Sequence, residues 1–149
     1  MSIVSERLHT LREENGLSQK QMGERIDLSR TSYKNYENAQ SYPPISVFIN
    51  IAIKFDISID YLTGRIDEKQ KISKTYDLKS ITPFSVRVKE LRKQQGMTQE
   101  FVSKEIGLVH KSPYICYERA EKEPSLPRLI ALADLFDVSL DYLVGFNEK

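Results

Sequence analysis

The sequence predicts an all-α chain of two tandem five-helix units joined by a polar linker. Three observations predict it. The chain repeats itself, each copy carries apolar residues at helical spacing between capping residues, and no stretch alternates long enough for a sheet. Ser5, Arg7, Leu11, Arg12, Gly16 and Gln19 recur 80 positions later as Ser85, Arg87, Leu91, Arg92, Gly96 and Gln99, and Ile26 and Leu28 as Ile106 and Leu108. The second copy then gains one residue. From there the spacing is 81, and Tyr33, Tyr36, Glu37, Ala39 and Pro43 recur as Tyr114, Tyr117, Glu118, Ala120 and Pro124. The copies end alike, with Phe55, Asp56, Ser58, Asp60, Tyr61, Leu62 and Gly64 matched by Phe136, Asp137, Ser139, Asp141, Tyr142, Leu143 and Gly145. The organisation expected is a first domain over residues 1–65, a linker over 66–82 and a second domain over 83–149.

A first helix is expected near Val4–Asn15. Val4, Leu8 and Leu11 lie at helical spacing, and Gly16 stops the helix. Ser18 starts the second helix; Ser18 and Gln21 have capping-box spacing, and Leu17 with Met22 can staple across the cap. Asp27–Ser29 then separates it from a third helix near Arg30–Asn38, for which Ser29 is the N-cap. Tyr33 and Tyr36 are assigned to its inner face, and Leu11, Ile26 and Phe55 to the core. The loop Ala39–Pro44 leads to a fourth helix near Ser46–Lys54, carrying Phe48, Ile49, Ala52 and Ile53. Ser58 caps a short fifth helix, Ile59–Thr63, with Asp60 where the helix dipole favours a carboxylate.

The second copy repeats this plan. Thr98 caps its second helix, with Met97 and Val102 as the staple, Ser125 its fourth and Ser139 its fifth. Its third helix departs: Pro113 is tolerated only in a first turn, so Ser112 is expected to cap that helix and Pro113 to start it. The linker is polar and lacks Gly and Pro; its Ile72, Tyr76, Leu78 and Ile81 are irregularly spaced, which fits either a partly helical segment or a loose tether.

Composition narrows the function classes. The chain has 149 residues, 22 Lys plus Arg against 21 Asp plus Glu, and one Cys. One cysteine forbids an intrachain disulfide and, without an apolar leader in MSIVSERLHT, points to the reducing cytoplasm. No uncharged stretch approaches the roughly 18 residues of a membrane span. A net charge of +1 neither supports nor excludes nucleic acid, because phosphate binding depends on where the basic groups lie. No Gly-rich phosphate loop, metal-ligand spacing or nucleophile–base pair is present, so neither an enzyme nor a cofactor is expected. Cys116, with only His9 and His110 as further soft ligands, reads as a half-exposed structural residue.

Two helices joined by a three- to four-residue turn make a helix-turn-helix, whose second helix can enter the DNA major groove. Ser18–Asn38 has this form. Its Leu-Ser-Gln start, the Ile26-Asp-Leu-Ser turn, the Tyr36-Glu37 ending and the terminal Asp60-Tyr-Leu-x-Gly64 resemble the Cro and phage-repressor (XRE-type, lambda-repressor-like) helix-turn-helix family, and both repeats carry the resemblance. It implies two five-helix domains and a transcriptional repressor that occupies an operator in double-stranded DNA, of phage, mobile-element or bacterial origin. Carried over residue by residue, Gln19 donates to a phosphate. Ser29, Arg30, Thr31 and Ser32 open the reading helix, with Lys34 and Asn35 one turn on. Arg30 suits guanine and Asn35 adenine as bidentate contacts, and Asn38 reaches a phosphate. In the second copy Gln99, Lys111, Ser112 and Arg119 are the corresponding contacts. Arg12–Glu37 and Arg92–Glu118 are implied to be partly buried salt bridges between the first and third helices.

Two departures bear on function. Ile115 and Cys116 replace Lys34 and Asn35, and apolar groups read few base edges. Neither post-helix loop, 39–42 or 120–123, is strongly basic. The second copy therefore either reads another half-site or pairs with its twin in a homodimer; exposure of Val109, Ile115 and Cys116 favours pairing. The competing class is a protein-interaction module, such as an anti-repressor, with no direct DNA role.

Overall fold

The computed structural model describes residues 2–149. The chain divides into two compact units, Met1–Lys74 and Thr75–Lys149. The division falls inside the segment 66–82, and each side of that segment carries structure of its own unit.

The first unit comprises α1 (Ile3–Glu14), α2 (Gln19–Arg25), α3 (Arg30–Glu37), α4 (Ile45–Phe55) and α5 (Ile59–Leu62), then a 3-10 turn at Ile72–Lys74. Its helix starts are encoded locally. The Ser18 side chain accepts from the Gln21 amide while the Gln21 side chain reaches back to the Ser18 amide, a complete capping box. Ser29 and Ser58 accept from the amides of Ser32 and Tyr61. Ser2 caps α1, and Pro44 rather than a hydroxyl residue precedes α4. Val4, Leu8, Leu11, Met22, Ile26, Tyr33, Phe48, Ile51, Ala52, Ile57, Ile59 and Leu62 form the core. Tyr36 and Phe55, assigned to the core from sequence, are half-buried instead. Tyr33 and Glu37, four apart, hold the inward line of α3 and leave Tyr36 at its edge. Phe55 lies at the end of α4 under the Arg25 guanidinium, 5.3 Å from its ring centre.

The segment after α5 folds back onto its own unit. The Ser58 amide donates to Gln70 O (3.0 Å), and the Ser73 amide and hydroxyl donate to Asp56 at 2.8 and 2.6 Å. Ile72 is 2% exposed.

The second unit comprises β1 (Tyr76–Ile81), α6 (Phe84–Gln94), α7 (Gln99–Glu105), α8 (Ser112–Glu118), α9 (Leu126–Phe136), α10 (Leu140–Val144) and β2 (Phe146–Glu148). The two-stranded antiparallel sheet corrects the expectation of no strand. Tyr76 pairs with Glu148, Asp77 with Asn147 and Ile81 with Phe146, with a bulge between Asp77 and Ile81. That bulge breaks the alternation of Tyr76 and Leu78 before it becomes a periodic signal. Gly145 permits the join: its φ is +130°, and a Cβ there would lie 1.9 Å from Thr82 O. The Thr82 amide donates to Gly145 O at 2.8 Å.

The two third helices start differently. In α8 Lys111 is the cap residue, without a side-chain cap bond; Ser112 and Pro113 are the first two helical residues, not the cap and first residue as expected. Lys111 has helical rather than extended backbone angles, so the helix begins one residue early. Ser125 precedes α9 as expected, but its side chain makes no cap bond.

Candidate nucleic-acid interface

The approach of α3 to α2 follows from small residues and buried anchors. Gly23 lies so near the turn that a Cβ would sit 2.8 Å from Leu28 O. The Leu28 amide donates to Gly23 O at 2.8 Å, and Asn50 Nδ2 donates to Ile26 O at 2.8 Å, bracing the turn from α4. Tyr33 is fully buried and its hydroxyl donates to Leu8 O at 3.1 Å, fixing the roll of α3 on α1. With Tyr33 and Glu37 inward, Arg30, Thr31 and Lys34 are exposed, and Ser32 and Asn35 are half-exposed. Arg30 and Lys34, four apart, share one side of the helix; Thr31 and Asn35 share the next. Ser29 is exposed, and its hydroxyl donates to Ser32 Oγ at 3.0 Å. Asn38 is the exposed C-cap, and half-buried Gln19 is the first residue of α2. Eight candidate contacts thus lie on one helix-turn-helix.

The Arg12–Glu37 pair ties this motif to α1. Arg12 Nε donates to Glu37 Oε2 at 2.9 Å and Nη2 to Oε1 at 2.8 Å, while Nη1 donates to Leu17 O at 2.9 Å. His9 Nδ1 lies 2.7 Å from the same Oε1. The Glu37 side chain is 4% exposed. Burial alone would raise its pKa, but the hydrogen bonds from Arg12 and His9 outweigh that and hold the carboxyl at about 2. His9 and Asn50 are positioning residues that sequence reasoning missed. For His9 the signal was its place three residues before Arg12 and four before Glu13.

In the second unit Arg92 Nε donates to Glu118 Oε1 at 2.5 Å and Nη1 to Met97 O at 3.0 Å. Gln99, a candidate phosphate contact, instead donates to Glu118 Oε2 at 2.9 Å, and the Tyr114 hydroxyl donates to Oε1 at 2.8 Å. Gln19 makes no such bond to Glu37 among the described residues, where His9 stands. Lys111, Ser112 and Arg119 are exposed. Cys116 is half-buried, as its sequence reading has it; Ile115, expected exposed, is half-buried too, whereas Val109 is 88% exposed. No helix among the described residues is long and apolar enough to cross a membrane.

A family model for a helix-turn-helix domain matches residues 5–68, and a second helix-turn-helix model matches residues 88–143. The chain is 42% identical over 62 residues to the uncharacterized HTH-type transcriptional regulator YobD of Bacillus subtilis, covering 42% of this chain and 54% of that protein. It is 39% identical over 71 residues to the cryptic phage CTXphi transcriptional repressor RstR of Vibrio cholerae, covering 46% of this chain and 63% of that one. It is 41% identical over 63 residues to the HTH-type transcriptional regulator AnsR of Bacillus subtilis, covering 42% and 53%. The chain thus spans little more than half the length of the curated relatives it matches.

Proposed function

Because the chain is two helix-turn-helix domains in tandem, we propose that it is a sequence-specific DNA-binding regulator of transcription, acting as a repressor by occupying its operator. The observation that carries this reading is the outer face of α3, where Arg30, Thr31 and Lys34 stand exposed on a helix held by Tyr33 and Glu37. A helix so presented fits the major groove, with its N-terminal residues at base edges. Arg30 takes a guanine and Asn35 an adenine, each bidentate pair contributing roughly 1–3 kcal/mol of discrimination. Gln19 and Asn38, at the flanks, take phosphates and set the register. The similarity to named regulators and to a phage repressor agrees with this assignment.

The second domain has a different part. Gln99 is committed to Glu118, and Ile115 and Cys116 stand where the first domain has Lys34 and Asn35. Lys111, Ser112 and Arg119 are left for the backbone of a second half-site, about one helical turn from the first. The 88% exposure of Val109 favours the other arrangement, in which this domain pairs with its twin and the dimer reads a palindrome. Selection of bound duplexes from a random pool, then footprinting, tests both. Two unlike half-sites under one chain mean a tandem reader, and a symmetric site under two chains means pairing. No enrichment even at low salt overturns the DNA reading in favour of a protein-interaction module. Arg30→Glu should abolish operator binding while sparing any partner held by the second domain.

A further inference from the structure

The second domain has a basic face that its reading helix does not account for. A recess of about 560 Å3 is bordered by Lys89 and Lys93 of α6, Thr98 and Gln99 at the start of α7, and Arg119 after α8. The Arg92–Glu118 pair, 2.5 Å apart, also lines it, and those two charges cancel. Lys89 and Lys93, four apart, project from one side of α6. Lys89, Lys93 and Arg119 are all exposed, and none is in an ion pair among the described residues.

The first domain lacks this face. The corresponding positions are His9, Glu13 and Asn38. His9 there sits between two carboxylates, 3.0 Å from Glu13 and 2.7 Å from Glu37. Three positive charges thus stand in the second domain where the first has one negative charge and a carboxylate-bound histidine. The post-helix loops have no basic excess; two of the cations lie on the first helix of the repeat and the third, Arg119, caps the end of α8.

We propose that this recess grips the phosphodiester backbone of duplex DNA without reading its sequence; the proposal rests on the DNA-binding reading above. The chemistry fits a row of phosphates. The recess is open and cationic, it has no aromatic platform for unstacked bases, and its one carboxylate is already neutralised by Arg92. Backbone contacts of this kind release counterions, so their number shows in the salt dependence of binding. The first domain then supplies selectivity, and the second supplies affinity common to all sequences.

The test is fluorescence anisotropy of the full chain against a random-sequence duplex and a selected one, from about 50 to about 200 mM salt. Neutralising the three cations together (Lys89→Ala, Lys93→Ala, Arg119→Ala) should weaken both duplexes equally. The loss should be tenfold or more at low salt, with the salt slope falling by about 2–3. Arg30→Ala should weaken the selected duplex alone. Lys93→Glu is the second variant, since it installs the residue the first domain carries at that place. It should lower the affinity for random duplex and the slope by at least about one. Parental slope and affinity in either variant overturn the recess while leaving the regulator reading intact. A parent chain that binds neither duplex at low salt overturns both.

Discussion

In the first domain α3 opens at Arg30 behind a bonded Ser29 cap, and its outer face is Arg, Thr and Lys. In the second, α8 opens at Ser112 behind an unbonded Lys111, carries Pro113 in its first turn and turns Ile115 and Cys116 half outward. Beneath these differences each domain keeps the same brace, an Arg on the first helix gripping a Glu at the end of the third. The brace fixes where the reading helix lies and says nothing about what it reads. Its third partner differs with that use. In the second domain Gln99 donates to Glu118, whereas in the first His9 takes that role and the half-buried Gln19 makes no such bond among the described residues. One scaffold therefore presents two faces, one with Arg30, Thr31 and Lys34 exposed on its third helix and the other with Lys89 and Lys93 exposed on its first.

Breaking the brace gives the largest expected effect. Arg12→Ala or Arg92→Ala leaves a buried carboxylate without its cation and should cost about 3–5 kcal/mol, read in a urea or thermal melt. Glu118 keeps Gln99 and Tyr114 as donors and Glu37 keeps His9, so in each domain the loss measures the missing cation rather than an unbonded carboxylate. Equal melts for Arg12→Ala and parent would remove the brace from the account. The same pair sets an acid limb. The Glu37 carboxyl titrates at about 2 in the folded chain, below its ordinary 4.5, so its contribution to stability is present above 4.5 and lost as pH falls through about 2. The stability gap between parent and Glu37→Gln should be widest near neutrality and close over that acid range. A gap that stays constant with pH would show that Glu37 is not held ionised.

Next comes the join peculiar to the second domain. Gly145→Ala would drive a Cβ into Thr82 O at 1.9 Å and should cost at least about 3 kcal/mol. The matching Gly64→Ala meets only the Ile3 side chain at 3.0 Å and should cost less. Equal losses in the two melts would mean that the sheet adds nothing to the second domain. Within α3, Arg30→Ala should remove roughly 1–3 kcal/mol of preference for one base pair, seen as relaxed selection at a single position. The converse pair in α8, Ile115→Lys with Cys116→Asn, tests whether residue type alone separates the two faces. If new sequence preference appears, Pro113 does not prevent reading.

Most of the helical frame was legible because it is written in local chemistry. Ser18, Ser29, Ser58, Thr98 and Ser139 all cap where their spacing puts them, and the repeat itself shows that the chain holds two domains, though not that the segment between them is divided between the two units. The sheet was not legible: β2 is three residues long and the bulge in β1 breaks the alternation a strand is recognised by. The repeat also showed Arg7 and Arg87 without their purpose, which is tertiary. Arg7 stacks 4.2 Å over Tyr61 and donates to Ile66 O at 2.7 Å; Arg87 stacks 3.9 Å over Tyr142 and donates to Tyr142 O at 2.7 Å. Among the candidate interface residues, residue type singled out Arg30 and Lys34, and the fold leaves both exposed. Which side chain bonds the buried carboxylate was not legible from type: it is His9 in the first domain and Gln99 in the second, where Lys89 stands in the place of His9.

The smallest effect concerns the turn both motifs share. Gly23 and Ser103 occupy the same place, and in each domain the amide of the residue five further on closes the turn onto that backbone carbonyl, at 2.8 and 2.9 Å. Ser103 fits because it is buried with its hydroxyl donating back to Gln99 O at 2.7 Å, so the side chain is bonded within its own helix. In the first domain a Cβ at Gly23 would press on Leu28 O at 2.8 Å, a backbone atom that moves only with the turn. Gly23→Ser should therefore cost about 1 kcal/mol through overpacking, and Ser103→Gly about 0.5 kcal/mol through helix propensity. The informative readout is DNA binding. If Gly23→Ser shifts α3 against α2, selectivity falls further than the melt predicts. If binding falls only in step with stability, the turn tolerates either residue and the two reading faces differ through their side chains alone.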